Sequence, residues 1–168
     1  DFPPRGTFWF YVNEKVDTAL HPLGTIIHSD ILPADLVVRP RPEAAPVFAA
    51  RAVRYEPILT LPLPGTKAHG RLKLRGADVA RYEKAVEMNC AAHSGVQLFG
   101  HPTGEVKGDL FEPLIKAAGG KEADYVLLFQ IEGSAELGWA KPSSLYYVLK
   151  RDALAKGRLD EVFSIIVR

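Results

Sequence analysis

One cysteine, Cys90, and one methionine, Met88, are all the sulfur this chain of 168 residues carries. A lone thiol cannot close an internal disulfide, so packing and hydrogen bonds must hold the fold, and a reducing, cytoplasmic setting is expected. No methionine stands at Asp1, so the chain reads as a piece truncated at its N-terminus. Long apolar runs are missing as well: none approaches the roughly 18–20 residues of a spanning helix, and no basic stretch leads into an apolar one. No membrane partner and no signal peptide are expected. Charge of one sign is also scarce, with 21 basic against 20 acidic side chains. Divided after Lys84, the first half carries +3 and the second −2. Neither half has the dense positive field that a phosphate backbone demands, so no nucleic-acid partner is expected. The five histidines, His21, His28, His69, His93 and His101, form no ligand spacing, and one cysteine builds no thiolate site. No metal, no cofactor and no catalytic set follow from this sequence.

What is present is ordinary for a packed domain. Apolar residues make up 47% and charged ones 24%, and the length suffices for a core without staples. The whole of residues 1–168 reads as a single α+β domain with an extensive, mainly antiparallel sheet and two or three helices. Thr7–Val12 reads as a strand with aromatic residues on both faces, hence central. Thr25–His28 is a short second strand, followed by a helical or irregular turn at Leu32–Asp35. Prolines 40, 42 and 46 mark an extended connection. Val53–Leu61 reads as a strand interrupted at Pro57, suited to an edge or a bulge. Arg71–Arg75 alternates strictly, which predicts a strand with three cations on one face and two leucines on the other.

The clearest helix covers Asp78–His93, with Val79, Tyr82, Val86 and Cys90 on one stripe. A shorter one covers Leu110–Ala118, opened by an Asp109/Glu112 capping pair and stopped at Gly119–Gly120. Tyr125–Ile131, Leu145–Leu149 and Val162–Val167 are further strands, with a short helix or turn over Ala153–Asp160.

Few residues invite chemistry. Cys90 lies on the apolar helical stripe, where free cysteine packs as a small hydrophobe, and His93 three positions on lacks a third orienting group. Gly95 to Gly100 has the glycine spacing of a phosphate loop, but His101-Pro102 replaces the lysine and hydroxyl that make one work, so it reads as a helix exit and turn. Arg71, Lys73 and Arg75 fit either a docking ladder for an acidic partner or a solvated, edge-protecting face. Trp139 fits a partner hot spot or buried packing, and Gln130 a ligand contact or a satisfied buried amide.

Four stretches carry a family likeness: Gly6-Thr-Phe-Trp-Phe-Tyr-Val-Asn13; Ala52-Val-Arg-Tyr-Glu-Pro-Ile-Leu-Thr-Leu-Pro62; Gly100-His101-Pro102; and Tyr125–Ile131 with Gly138-Trp139 and Leu145–Leu149. In this order the chain resembles the YwqG-like family, a bacterial domain of unknown function. The resemblance implies an α+β fold with a large antiparallel sheet and a further N-terminal portion before Asp1. It assigns no catalytic residue. Two acidic turns of the family are replaced here, by Glu132-Gly133-Ser134 and by Ala140-Lys141-Pro142-Ser143, so a ligand role for them does not carry over. Some relatives are similar to proteins encoded beside toxins. The expectation is therefore a non-enzymatic module binding a protein partner, in an immunity-like role. The alternative is a small-molecule site or an enzyme with a pocket near His101, Gln130 and Trp139.

Overall fold

A computed structural model describes residues 6–11, 20–21, 25–37, 40, 56–92, 95–103, 110–133 and 144–167. It is an α+β fold built on antiparallel sheets. The strands are β1 (Thr7–Tyr11), β2 (Leu20–His21), β3 (Thr25–Ser29), β4 (Val96–Leu98), β5 (Tyr125–Glu132), β6 (Ser144–Lys150) and β7 (Phe163–Val167). The helices among the described residues are α1 (Lys67–Gly70), α2 (Ala77–Ala92), α3 (Glu112–Ala118) and α4 (Arg151–Ala155). Single 3-10 turns cover Pro33–Asp35, Glu122–Asp124 and Leu159–Glu161.

The main sheet has the order β2-β7-β6-β5-β4, all pairs antiparallel. β6 lies at its centre and is buried from Leu145 to Leu149. Its apolar run without polar alternation has a direct cause: both faces of the sheet are covered. Leu145, Tyr147 and Leu149 point to one side and pack with Leu128, Ala153, Leu159, Val162 and Ile26. Tyr146 and Val148 point to the other and pack with Leu110, Leu114, Tyr125, Leu127 and Ile165. The register between β5 and β6 slips between Leu127 and Phe129, where a bulge inserts an extra residue. That insertion reverses the parity of β5, so Gln130 shares a face with Tyr146, its register partner.

A second, two-stranded sheet pairs β1 with β3. Thr7–Val12 was expected at the centre of a sheet; among the described residues β1 has one neighbour and Tyr11 is exposed. Both faces of its sequence are aromatic for two different reasons. Phe8 and Phe10 face inward, with Phe10 stacked on Phe129 at 4.5 Å and edge-on to Tyr147 at 5.2 Å. The Tyr147 hydroxyl donates to the Tyr11 carbonyl at 2.7 Å and ties the small sheet to β6. Trp9 and its partner Ile27 take the opposite face. At Gly6, φ is +102° and any Cβ would strike His28 and the Ser29 carbonyl, so only glycine enters β1 this way.

Two expected strands are replaced. Arg71–Arg75 is the exit of α1 and a loop: Arg71 N–H donates to the Lys67 and Ala68 carbonyls, Leu72 N–H to His69 and Lys73 N–H to Gly70. Those donors are spent locally and leave nothing for a ladder, and Lys73 turns to a positive φ of 53°. Of Val53–Leu61, residues 56–61 are described and form no ladder. They run as a strap, with Leu59 O accepting from Asn89 Nδ2 and Pro62 O from the Tyr82 hydroxyl. Gly95 to Gly100, expected as a turn, contains β4.

The long helix appears as Ala77–Ala92, and its least exposed residues as far as Cys90 are Val79, Tyr82, Val86, Asn89 and Cys90, which include the whole expected stripe. α3 begins at Glu112 with Phe111 as its N-cap and no side-chain cap, while Asp109 lies outside the described residues. Gly119, at φ +71°, closes it as expected. α1 was not foreseen. Thr66 caps it, accepting from His69 N at 3.2 Å while donating to the Leu63 carbonyl at 2.7 Å.

Candidate functional site

Gln97, Gln130 and Tyr146 stand in one row across β4, β5 and β6. The segment after β4 folds over this row. Gln130 Oε1 accepts from Thr103 N–H at 2.9 Å, and Nε2 donates to the Thr103 carbonyl at 2.9 Å and its hydroxyl at 2.8 Å. The side-chain amide therefore pairs with Thr103 as a neighbouring strand would. Tyr146 adds a bond from its hydroxyl to the same carbonyl, at 3.1 Å. Burial pushes the Tyr146 hydroxyl up to about 12, so it stays a proton donor throughout the neutral range. Gln97 Nε2 donates to the carbonyls of Phe99 and His101. Its Oε1 is buried without a hydrogen-bond partner among the described residues.

His101 is brought to this network by its backbone rather than its ring. Its N–H donates to Thr60 Oγ1 at 2.9 Å, its carbonyl accepts from Gln97, and Gly100 abuts Thr60 so closely that a Cβ would overlap the threonine side chain. Burial lowers the pKa of the imidazole, and the Glu122 carboxylate pulls it partly back. Glu122 in turn lies 3.8 Å from Arg71, and its side chain is 9% exposed. Of the expected pocket, His101 and Gln130 are therefore joined through Gln97 and Thr103. Trp139 lies outside the described residues, as does His93. Both ends of the Gln130 amide are engaged by Thr103, so it works as a clamp on the His101–Thr103 segment. The residues that build the clamp, Gln97, Thr103 and Tyr146, were missed by the sequence reading. Two glutamines on hydrophobic strands are the signal that pointed to them.

Arg71, Lys73 and Arg75 were expected on one strand face. They lie instead along the loop between α1 and α2, all three exposed. Arg71 leans on Glu122, and neither Lys73 nor Arg75 enters an ion pair among the described residues.

The remaining feature is apolar. Trp9, Tyr11 and Ile27 share the outer face of the β1–β3 sheet, with Tyr11 51% and Ile27 47% exposed. The chain leaves β3 directly into Ile31, Leu32, Leu36 and Val37, all exposed, Val37 to 84%. Two exposed carboxylates, Asp30 and Asp35, lie within the same stretch. No helix among the described residues is long and apolar enough to cross a membrane. Among them, no group of three or more His, Cys, Asp or Glu is placed to hold a metal ion. No protein-family model matches the chain, and no curated protein matches it.

Proposed function

We propose that this domain is a protein-binding module that docks its partner on the outer face of the β1–β3 sheet and the Ile31–Val37 segment that follows it. The observation that carries this reading is the set of exposed apolar side chains, Tyr11 and Ile27 on the sheet face of a half-buried Trp9 and Ile31, Leu32, Leu36 and Val37 in the segment that follows. Soluble domains seldom leave apolar side chains grouped in this way without a use for them. Tryptophan and tyrosine stand among its aliphatic side chains, and aromatic residues are enriched where partners are most fully desolvated. The partner is a protein with an apolar surface that also carries cations, because the exposed Asp30 and Asp35 lie within the same stretch. The resemblance to the YwqG-like family narrows this to an immunity-like role beside a toxin.

The reading is tested by parallel capture from the source cell with the wild type, with Ile27→Asp/Val37→Asp, and with a distant control, Lys116→Glu. A specific partner is retained by wild type and control and lost by the double variant, with the circular-dichroism spectrum unchanged. Equal retention by all three proteins refutes it. A partner lost equally in the control refutes it too.

A further inference from the structure

The outward side of α2 and the loop before it form a second surface, of opposite character to the first. Between residues 67 and 88 stand six cations, Lys67, Arg71, Lys73, Arg75, Arg81 and Lys84, against three carboxylates, Asp78, Glu83 and Glu87, a local +3 in a chain whose whole charge is +1. All six cations are exposed. Arg71 and Arg81 make only long contacts, 3.8 Å to Glu122 and 3.5 Å to Asp78. Lys73, Arg75 and Lys84 enter no ion pair among the described residues.

These charges sit on an ordered scaffold. Thr66 caps α1, and α2 is tied to the strap by Tyr82 and Asn89. With the stripe of Val79, Tyr82, Val86 and Cys90 turned inward, the helical period sets Arg81, Lys84 and Met88 directly opposite, facing away from the protein. Met88 is 64% exposed, and Leu72, between Arg71 and Lys73, is 44% exposed. Local folding preference does not account for this arrangement. Lys73 and Arg75 precede the first turn of α2, where the helix dipole disfavours cations, and Lys73 holds a left-handed φ of 53° that side-chain-bearing residues rarely adopt. Local preference and global structure disagree where function intervenes.

We infer that this face binds an acidic, partly apolar segment of a protein, laid along α2 so that its carboxylates meet Arg75, Arg81 and Lys84 and its apolar side chains meet Met88 and Leu72. A nucleic acid fits less well. The face holds few unpaired cations, and apolar side chains interrupt them, whereas phosphate backbones reward dense charge.

The test measures binding of a fluorescent Glu/Leu peptide to the wild-type protein at 50 and 200 mM salt, beside a duplex DNA of equal charge and anionic phosphatidylserine vesicles. The expected result is peptide binding that weakens at least threefold with salt and at least tenfold in Arg75→Glu/Lys84→Glu, with DNA and vesicles weaker than peptide. Ile27→Asp/Val37→Asp leaves it unchanged, so failure here and failure of the apolar docking face are separate results. Absence of peptide binding, tighter binding of DNA or vesicles, or indifference to the charge reversal each overturns the proposal. Far-UV circular dichroism confirms that the charge-reversed protein is folded, and Lys84→Gln, which removes charge without reversing it, gives an intermediate loss.

Discussion

The centre of the main sheet and the α1–α2 region are built on different principles. β6 is buried at five consecutive positions and touches packed side chains on both faces. α2 is more than twice as long, yet as far as Cys90 it buries only Val86, holding its place by a half-buried stripe and two side-chain hydrogen bonds to the strap. The sheet is where burial stabilises the fold; the helix region contributes little to that and presents charge instead. The lesson is that the two tasks are separated in space, so the surfaces proposed for binding can change with small consequence for the core.

The comparison is broken most directly by deletion in the sheet. Leu149→Ala, at a fully buried position, should lower stability by about 2–5 kcal/mol, read from denaturant midpoints. A loss under about 1 kcal/mol would mean that β6 is not the heart of the core. Next comes the clamp. Gln130→Leu keeps the volume but orphans the Thr103 N–H and leaves its carbonyl only the Tyr146 hydroxyl, and should cost about 1–3 kcal/mol, with faster amide exchange at Thr103 as the local signature.

Val86→Ala samples the helix. Two methyl groups leave a buried site that belongs to neither of the two clusters at the sheet, and about 1–2 kcal/mol is expected. If it proves as costly as Leu149→Ala, the division between the regions fails.

The tyrosines sharpen the same division through pH. Burial raises the Tyr146 pKa from 10.0 to about 12, so the unfolded chain loses this proton first. Stability is then full below pH 10 and falls as pH rises toward 12, by about 1.4 kcal/mol per unit for one proton. Thermal melts between pH 9 and 12 should fall less steeply for Tyr146→Phe than for wild type. Tyr82, whose pKa burial also raises, should matter less, being half-buried beside α2. The smallest effect belongs to Arg75→Glu/Lys84→Glu, expected within about 0.5 kcal/mol of wild type because both side chains are exposed.

Much of the fold is written in short-range pattern. The run Tyr125–Ile131, the aromatic strand Leu145–Leu149 and the stripe Val79, Tyr82, Val86, Cys90 were readable because alternation and helical period are properties of a few neighbouring residues. Gly119 marks a helix end for the same reason, since a positive φ is a local demand. Arg71–Arg75 shows where pattern misleads. Its alternation is that of a strand, but the N–H groups of Arg71, Leu72 and Lys73 are taken by the carbonyls of α1, a competition that five residues do not display. The candidate site lies further still from local reading. A single extra residue between Leu127 and Phe129 turns Gln130 from the side of Leu128 to that of Tyr146, and only there does its amide meet Thr103, 27 positions away. Which segments become the central strands and the long helix follows from near neighbours along the chain. The side that Gln130 faces, the cations left unpaired and the apolar side chains left outside follow instead from how the elements pack. Each of those depends on partners brought together from distant parts of the chain.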